Sequence, residues 1–236
     1  MRAWTLFTDR RLGNLATHVG DDAAGVAQHR AALAAALELE PAAIAWMDQV
    51  HGRDVAVVDG PASGPAPRVD ALVTATPGTA LAVLVADCRP VLLADDRAGV
   101  VAAVHAGRAG VQLDVVGAAV RQMRRLGAGE VRAHVGPGVC AACYPVPAAM
   151  RDEVAATVPA SWASARDGSP ALDLLAGVRS QLVSAGVECI EAETTCTAED
   201  PSLFSYRRDG GPNGGPAGHS AGRFAGRFAG VVVLDP

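Results

Sequence analysis

The fold is decided by residues 81–107, which read LAVLVADCRPVLLADDRAGVVAAVHAG. Three nearly unbroken apolar runs, at 81–86, 91–94 and 100–104, are separated only by short turn sequences. Runs of this length that are rich in Val and Leu are typical of strands buried on both faces of a sheet. This stretch therefore predicts neighbouring strands at the centre of a sheet.

Strands and helices are mixed along the rest of the chain. Further strands are predicted at 3–7, 44–47, 55–58, 71–74, 131–135, 187–193, 203–206 and 231–234, and helices at 23–37, 109–126, 147–157 and 172–185. A chain of 236 residues can bury a full core, and no linker clearly divides it. We therefore expect a mixed α/β (α+β) fold with residues 1–236 in a single domain.

The composition argues against several classes of protein. The formal charge of −5 is unlike the basic face of a duplex nucleic-acid binder. All twenty cationic residues are arginine, which rules out Schiff-base catalysis and a P-loop lysine. No apolar run approaches the ~20 residues of a membrane span, and five cysteines do not suggest a disulfide framework. The expectation is a cytoplasmic protein that binds neither nucleic acid nor membrane.

Three short segments each place one metal-binding side chain among small residues. They carry His51, Cys88 and His105. Zinc sites with three protein ligands usually keep the fourth position for water or substrate, and this arrangement is typical of catalysis. Asp70, Asp87 and Arg89 lie near these ligands in sequence or are placed to fold near them, and they can supply hydrogen bonds that orient the ligands.

Copper is the alternative metal for this set. A blue-copper site also uses two His and one Cys with a weak axial Met, and Met47 lies four residues before His51. A four-copper oxidase needs many more imidazoles than the six histidines of this chain. On ligands alone, zinc and a single copper ion both remain open.

Two other segments carry reactive side chains. Cys140 and Cys143 form a C-x-x-C pair, but the sequence has no second pair to complete a zinc site. The favoured interpretation is therefore that they are two thiols in a loop. Cys196 has no evident partner. The segment 204–210 combines Tyr206 with Arg207 and Arg208. Guanidinium groups bind phosphate or carboxylate in a bidentate manner, and an aromatic ring can stack on a base, although a solvated strand end fits the same residues.

These motifs, in this order, resemble the YfiH-type family, also called the laccase-domain or PgeF family. The similarity covers nearly the whole chain and rests on the segments 14–21, 49–52, 70–74, 86–91, 105–107, 136–137, 143–144, 173–174, 196–197 and 204–210, and on a Gly-Arg-Phe-Ala segment at either 222–225 or 226–229. The resemblance implies a YfiH/CNF-like layered sandwich of mixed β-sheet with flanking helices. It also places the zinc ligands on His51, Cys88 and His105.

Members of this family were first described as polyphenol oxidases and are now understood as zinc-dependent purine nucleoside phosphorylases. The resemblance implies this activity here, together with adenosine deaminase and methylthioadenosine phosphorylase activity. Expected partners are purine nucleosides and phosphate, and the chain is expected to be a monomer or a weak homodimer. Asp87, Cys88 and His105 are the candidate catalytic residues, with Tyr206 and three arginines, Arg207, Arg208 and Arg108, as candidates for holding substrate or phosphate.

The chain departs from the family pattern in three places. The family usually has Trp-Arg where this chain has Arg108 and Ala109, and Cys140 and Pro145 replace a common Gly and Glu. An inserted loop occupies 211–220. These departures leave three alternatives open: a copper-dependent, laccase-like polyphenol oxidoreductase, a degenerate nucleoside-binding member, and a hydrolase using a Cys88–His nucleophilic pair.

Overall fold

The computed structural model describes residues 2–61, 64–210 and 225–235. These residues form twelve strands and six α-helices. The strands are β1 (Ala3–Phe7), β2 (Ile44–Ala45), β3 (Val55–Val57), β4 (Ala71–Thr74), β5 (Ala80–Val85), β6 (Arg89–Asp95), β7 (Val100–Ala106), β8 (Arg132–Val135), β9 (Trp162–Ser164), β10 (Pro170–Leu172), β11 (Cys189–Ala192) and β12 (Phe228–Leu234). The helices are α1 (Ala23–Ala36), α2 (Arg108–Gln112), α3 (Val115–Arg125), α4 (Ala148–Thr157), α5 (Leu174–Ser184) and α6 (Tyr206–Asp209).

Two mixed sheets pack face to face. The larger sheet has the order β11-β8-β6-β7-β4-β3, and the smaller sheet has the order β1-β12-β5-β2. Most neighbouring strands are antiparallel, while β3 and β4, β2 and β5, and β11 and β8 run parallel. A separate two-stranded ribbon joins β9 and β10.

The alternation of side chains along the central strands explains the layers. Leu92 and Ala103 face the smaller sheet, where they join the apolar layer between the two sheets. Their neighbours Val91 and Val104 point the other way, into a core formed with α3 and α5. Helix α1 covers the outer face of the smaller sheet. The predicted layered sandwich of mixed sheet with flanking helices is confirmed.

Two predicted elements are wrong in type or extent. The helix expected at 109–126 is broken at Asp114, whose φ of 61° is left-handed and whose carboxylate accepts the N–H of Gly117 to begin α3. The strand expected at 203–206 is absent, because the Ser205 hydroxyl accepts the N–H of Arg208 and starts the short helix α6 there. The ribbon of β9 and β10 was not predicted.

Some predictions fall outside the described residues. The inserted loop at 211–220 lies outside them, as do residues 222–224, the first three residues of the first Gly-Arg-Phe-Ala copy at 222–225. Over the residues that the structure does describe, no helix combines the length and the apolar character that crossing a membrane requires.

Candidate metal centre and substrate cleft

A cleft of about 510 Å³ opens where the two sheets meet. This volume falls in the range of about 300–1,000 Å³ that is typical of small-molecule sites. Its lining residues are His18, Gln49, His51, Leu84, Val85, Ala86, Asp87, Cys88, His105, Val139, Tyr144, Leu174, Tyr206, Arg207 and Arg227. The lining combines an apolar wall with a few polar groups, an arrangement suited to an organic substrate that carries charge.

His105 reaches this cleft because of its register in β7. It lies on the same face as Val101 and Ala103, which point between the sheets, and it stands at the end of the strand. Its Nδ1 atom is 2.7 Å from an oxygen of Asp70, a carboxylate with no exposed surface. Since an ionised carboxylate only accepts hydrogen bonds, Nδ1 carries the proton, which leaves Nε2 available to bind a metal ion.

The same carboxylate holds the turn that presents His51. The main-chain N–H groups of Val50, His51 and Gly52 donate to Asp70 at 3.2, 2.9 and 2.6 Å. His51 itself has a φ of 60°, a left-handed conformation that such a set of bonds can maintain. Asp70 therefore positions two of the three predicted ligands.

Cys88 lies in the turn that carries the chain from β5 in the smaller sheet to β6 in the larger one. The preceding residue, Asp87, is also left-handed, with a φ of 86°. The turn is held on both sides, because the Asp87 carbonyl accepts the N–H of Val139 at 2.9 Å and its carboxylate accepts two further bonds. Such backbone strain is common where a side chain must be aimed at a site.

The structure brings the three predicted ligands together. One ligand atom from each of His51, Cys88 and His105 lies within 4.8 Å of the others, and the two imidazole rings meet edge to face with centroids 4.7 Å apart. Two nitrogens and one sulfur form a donor set that suits zinc, and it leaves a tetrahedral position open. The residues present therefore fit a catalytic metal ion.

The charges of the ion-free site are also consistent with metal binding. Burial opposes ionisation of the Cys88 thiol, but the neighbouring His105 charge and hydrogen bonds from both imidazoles lower its pKa to about 6. Burial likewise opposes protonation of His105, but the thiolate and Asp70 raise its pKa to about 9. For Asp70, burial is outweighed by its hydrogen bonds from His105 and Gly52, so its pKa is lowered. A bound cation would take the place of a proton on His105 beside the Cys88 thiolate.

Gly107 leaves room for the three ligands. A Cβ atom there would lie 3.0 Å from Cys88 Sγ and 3.1 Å from His51 Cδ2. Its φ of −81° is open to any residue, so the constraint at this position is space rather than backbone conformation. We expect Gly107→Ala to weaken metal binding by about tenfold or more, because misplaced ligands lose affinity, while the fold remains intact.

Competition with a chromogenic chelator would measure this affinity. Gly129→Ala is the matched control, since a Cβ at Gly129 meets nothing within 4 Å. Unchanged affinity in Gly107→Ala would show that the three side chains have more freedom than the structure gives them.

Asp87 is predicted as a catalytic residue, and the structure shows what occupies its carboxylate. One oxygen accepts the Thr197 hydroxyl at 2.7 Å and the other accepts the main-chain N–H of Arg207 at 2.8 Å. Because both oxygens are already bonded, this geometry favours holding the cleft wall over relaying a proton.

Cationic and aromatic groups also line the cleft. The Arg207 guanidinium lies 4.3 Å above the Tyr144 ring and donates to the Pro145 carbonyl at 3.2 Å. Arg227 also lines the cleft, while Tyr206 keeps 45% of its surface exposed. Two cations and an available ring therefore face the same space as the metal ligands.

The other two predicted arginines are not among the cleft-lining residues. All N–H donors of the Arg208 guanidinium are engaged by Asp209 and by the carbonyls of Thr197, Asp200 and Leu203. Because no donor is left for phosphate, Arg208 stabilises the 197–209 segment through these hydrogen bonds. Arg108 is the first residue of α2, and its charge is one of those that lower the pKa of Tyr144 against the larger effect of burial.

Sequence reasoning did not select four residues that line the cleft: His18, Gln49, Tyr144 and Arg227. All four occur in or beside motifs that carry the family resemblance, which was the available signal. Gln49 exchanges two hydrogen bonds with the main chain of Leu84, at 2.7 and 2.9 Å, and so ties the His51 segment to β5.

Comparison with known proteins identifies the family. A family model described as "Multi-copper polyphenol oxidoreductase laccase" matches residues 10–234. This chain belongs to the polyphenol oxidoreductase laccase family. The family resemblance inferred from the motifs is thereby confirmed.

Curated relatives and solved structures of the laccase family extend this result. A Streptomyces griseus protein named "Purine nucleoside phosphorylase ORF3" is 53% identical over 216 residues, which cover 86% of this chain and 88% of that protein. A Deinococcus radiodurans "Purine nucleoside phosphorylase" is 42% identical, covering 81% and 75% of the two chains. The structure of YlmD from Geobacillus stearothermophilus matches with a TM-score of 0.86 at 29% identity, covering 99% and 92% of the two chains. Bacillus licheniformis hypothetical protein YfiH matches with a TM-score of 0.85 at 26% identity, covering 99% and 93%.

The multi-copper part of the laccase family description finds little support in the described residues. His29 is bonded to the Asn14 carbonyl and His134 to the Thr5 hydroxyl, both away from the cleft. Met47, the candidate axial ligand of a blue-copper site, is buried between the sheets and is not among the cleft-lining residues. Among the described residues, His51, Cys88 and His105 thus offer the ligands for one metal ion.

Proposed function

We propose that this chain is a zinc-dependent purine nucleoside phosphorylase that also acts on methylthioadenosine and deaminates adenosine. The observation that carries the proposal is the convergence of His51, Cys88 and His105 in a cleft that Arg207 and Arg227 also line. The names of the relatives described above support the same class of reaction. A zinc ion on the three ligands would supply a Lewis acid, the chemistry by which such ions activate water or polarise a substrate atom.

The residues of the cleft fit the two parts of a nucleoside and its phosphate partner. In phosphorolysis, a phosphate oxygen forms a bond to ribose C1′ while the bond from C1′ to the purine nitrogen breaks, and the purine leaves with the bonding electrons. Arg207 and Arg227 are placed to bind the phosphate and direct it, since guanidinium groups match phosphate oxygens in pairs. Tyr206 and the apolar wall at Val139 and Leu174 provide surfaces for a purine ring.

His18 adds a neutral polar group at the mouth of the cleft. Partial burial and the nearby charge of Arg227 lower the pKa of His18, so its imidazole is uncharged at neutral pH. A neutral imidazole can both donate and accept a hydrogen bond. We assign His18 to recognition of the nucleoside rather than to the chemical step.

Product analysis tests the proposal directly. Adenosine, inosine and methylthioadenosine are each incubated with the purified protein, with and without phosphate, and the products are separated by chromatography. We expect free base and sugar phosphate only when phosphate is present, and inosine with ammonia from adenosine in either case. A protein with stoichiometric zinc that releases neither base nor ammonia would instead be a nucleoside-binding relative without activity.

Metal analysis separates this proposal from its copper alternative. Protein purified without added metal is expected to contain zinc and to be colourless. Copper with visible absorption and turnover of phenols would replace the phosphorylase with a polyphenol oxidoreductase.

Arg207→Ala is expected to raise the KM for phosphate by about tenfold to a hundredfold, the value of one lost charge-assisted interaction, with a smaller change in the KM for nucleoside. The main-chain bond from residue 207 to Asp87 does not depend on the side chain, so the cleft wall should stay in place. Initial rates at varied phosphate and fixed nucleoside give the comparison.

Arg179→Ala on the exposed side of α5 is the control for this substitution. Equal rises in both KM values, or none, would remove Arg207 from phosphate binding.

A further inference from the structure

A second group of metal-binding side chains lies outside the cleft lining. Cys140 and Cys143 of the C-x-x-C pair meet Cys196 and Glu199, and one ligand atom from each lies within 4.8 Å of all the others. Cys196 and Glu199 are also separated by two residues, so two pairs of equal spacing face each other. The partner that the C-x-x-C pair lacks in the sequence is supplied by a segment more than fifty residues away.

Main-chain bonds hold the two pairs in register. Gly138 forms a parallel bridge with Cys196 and exchanges hydrogen bonds with Thr195 and Thr197 at 3.4 and 3.2 Å. The N–H of Cys140 lies 3.3 Å from Cys196 Sγ, and the N–H of Glu199 donates to the Cys196 carbonyl at 3.1 Å. A main-chain N–H directed at a cysteine sulfur is the kind of contact that supports a bound thiolate.

The donor set suits a structural zinc ion. Three sulfurs and one carboxylate oxygen complete a tetrahedron without a water, and closed sites of this type are structural rather than catalytic. Tetrahedral zinc with bonds of about 2.3 Å to sulfur needs sulfur ligands about 3.8 Å apart. The four ligand atoms already lie within 4.8 Å of one another.

The cations around the group provide independent support. Arg89 is buried, with 1% of its surface exposed, and its guanidinium donates to the carbonyls of Gly136 and Glu193, both at 3.0 Å. Among the described residues no carboxylate forms an ion pair with it, and its Nε has no hydrogen-bond partner. Burial lowers the pKa of Arg89, and the charges that oppose this effect are that of Asp173 first, followed by those of Cys196 and Cys140. A buried cation without a paired anion is costly.

A metal–thiolate group would add negative charge close to Arg89. Zinc with three thiolates and one carboxylate has a net charge of about −2. Arg89 lies on its buried side, and Arg166 lies on its exposed side, where it is paired with Glu199. These two cations match the charge of the occupied site.

We propose that this group binds a second zinc ion, with Cys140, Cys143, Cys196 and Glu199 as ligands. The ion would link the segment 139–144 to the segment 196–199. Val139 and Tyr144 line the cleft, and Thr197 bonds to Asp87, so this link would stabilise one wall of the substrate site. The site does not depend on which reaction the cleft performs.

Zinc content per chain tests the proposal. The protein is purified under reducing conditions with zinc in the medium, and metal is measured by mass spectrometry against protein concentration. We expect about two zinc ions per chain in the wild type and about one in Cys143→Ser and in Cys88→Ser, which lose different ions. Cys189→Ser is the matched control, because Cys189 is an exposed thiol outside both groups and its loss should leave the count unchanged.

Cobalt substitution identifies the ligands of the second ion. In the Cys88→Ser background the catalytic group has no sulfur left, so any near-ultraviolet charge-transfer band from sulfur to cobalt must come from the second group. We expect a strong band there, weakened by Glu199→Gln only slightly and by Cys143→Ser clearly. The glutamine variant removes no thiol and is the milder change if the serine variant fails to fold.

Two results would overturn the proposal. One is a wild-type chain with a single zinc ion, all of which is lost in Cys88→Ser. The other is a Cys88→Ser protein that binds cobalt without a sulfur band. Both measurements stand apart from turnover, so failure of the proposed phosphorylase activity leaves this test intact.

Discussion

Replacing Cys88 with serine is expected to remove the catalytic-site metal ion and at least about 10³-fold of kcat/KM for adenosine, which is about 4 kcal/mol of transition-state stabilisation. The sulfur is the soft ligand of the trio, and the remaining two imidazoles are too few for a stable zinc site. The thiolate also helps to raise the pKa of His105, so its loss removes one of the two anions beside that imidazole. Metal content and initial rates, measured on the same preparation, give the comparison.

The control for this prediction is Cys189→Ser, which removes an exposed thiol in β11 without touching the cleft. Circular dichroism and the melting temperature show whether each variant is folded. A folded Cys88→Ser protein that lacks the ion and turns over adenosine at the normal rate would exclude the metal from the reaction.

The same trio allows one competing chemistry, because a thiolate beside an imidazolium is also a nucleophilic pair. The lowered pKa of Cys88, about 6, suits that role as well. The two mechanisms respond differently to a chelator: the zinc enzyme loses activity and regains it when zinc is returned, whereas a cysteine nucleophile keeps its activity until it is alkylated. Chelation followed by separate return of zinc and copper therefore separates all three alternatives.

The central strands were predictable because their sequence leaves no other arrangement. Strands β5, β6 and β7 are apolar on both faces, and only a position between two layers satisfies them. Segment 203–206 has the same local appearance at its first residues, yet it runs into a helix because Ser205 and Asp87 accept the main-chain N–H groups of Arg208 and Arg207. The bond to Asp87 joins residues that are 120 positions apart, and such a bond is not visible in local sequence patterns.

The residues of the candidate site were likewise predictable only in part. The three ligands were predictable from donor chemistry and from their placement near strand ends, and Asp70 from its proximity to them. Arg227 and Tyr144 were not selected although both lie in motifs that carry the family resemblance, because only packing shows that these distant residues line one cleft. The role expected for Arg208 illustrates the opposite error: its sequence neighbours resemble a phosphate site, but the fold uses its donors internally.

Replacing Asp70 with asparagine is expected to disrupt the site more widely than any other single change outside the ligands. Asp70 accepts from the His105 ring and from the N–H groups of Val50, His51 and Gly52. An amide of the same size has only one acceptor oxygen. Its NH₂ group, which only donates, would face at least one of the N–H groups that now bond to the carboxylate. We expect zinc affinity to fall by about ten- to a hundredfold and the free energy of unfolding to fall by about 3 kcal/mol.

Asp95 provides a matched control for separating those two effects. Its buried carboxylate likewise accepts four main-chain N–H groups, those of Arg97, Ala98, Gly129 and Glu130, but it stands at the end of β6 away from Cys88. Asp95→Asn should therefore lose stability while keeping its metal affinity, measured by denaturant unfolding and by chelator competition. If Asp70→Asn loses stability alone, as Asp95→Asn should, then Asp70 is a structural carboxylate that orients neither histidine for metal binding.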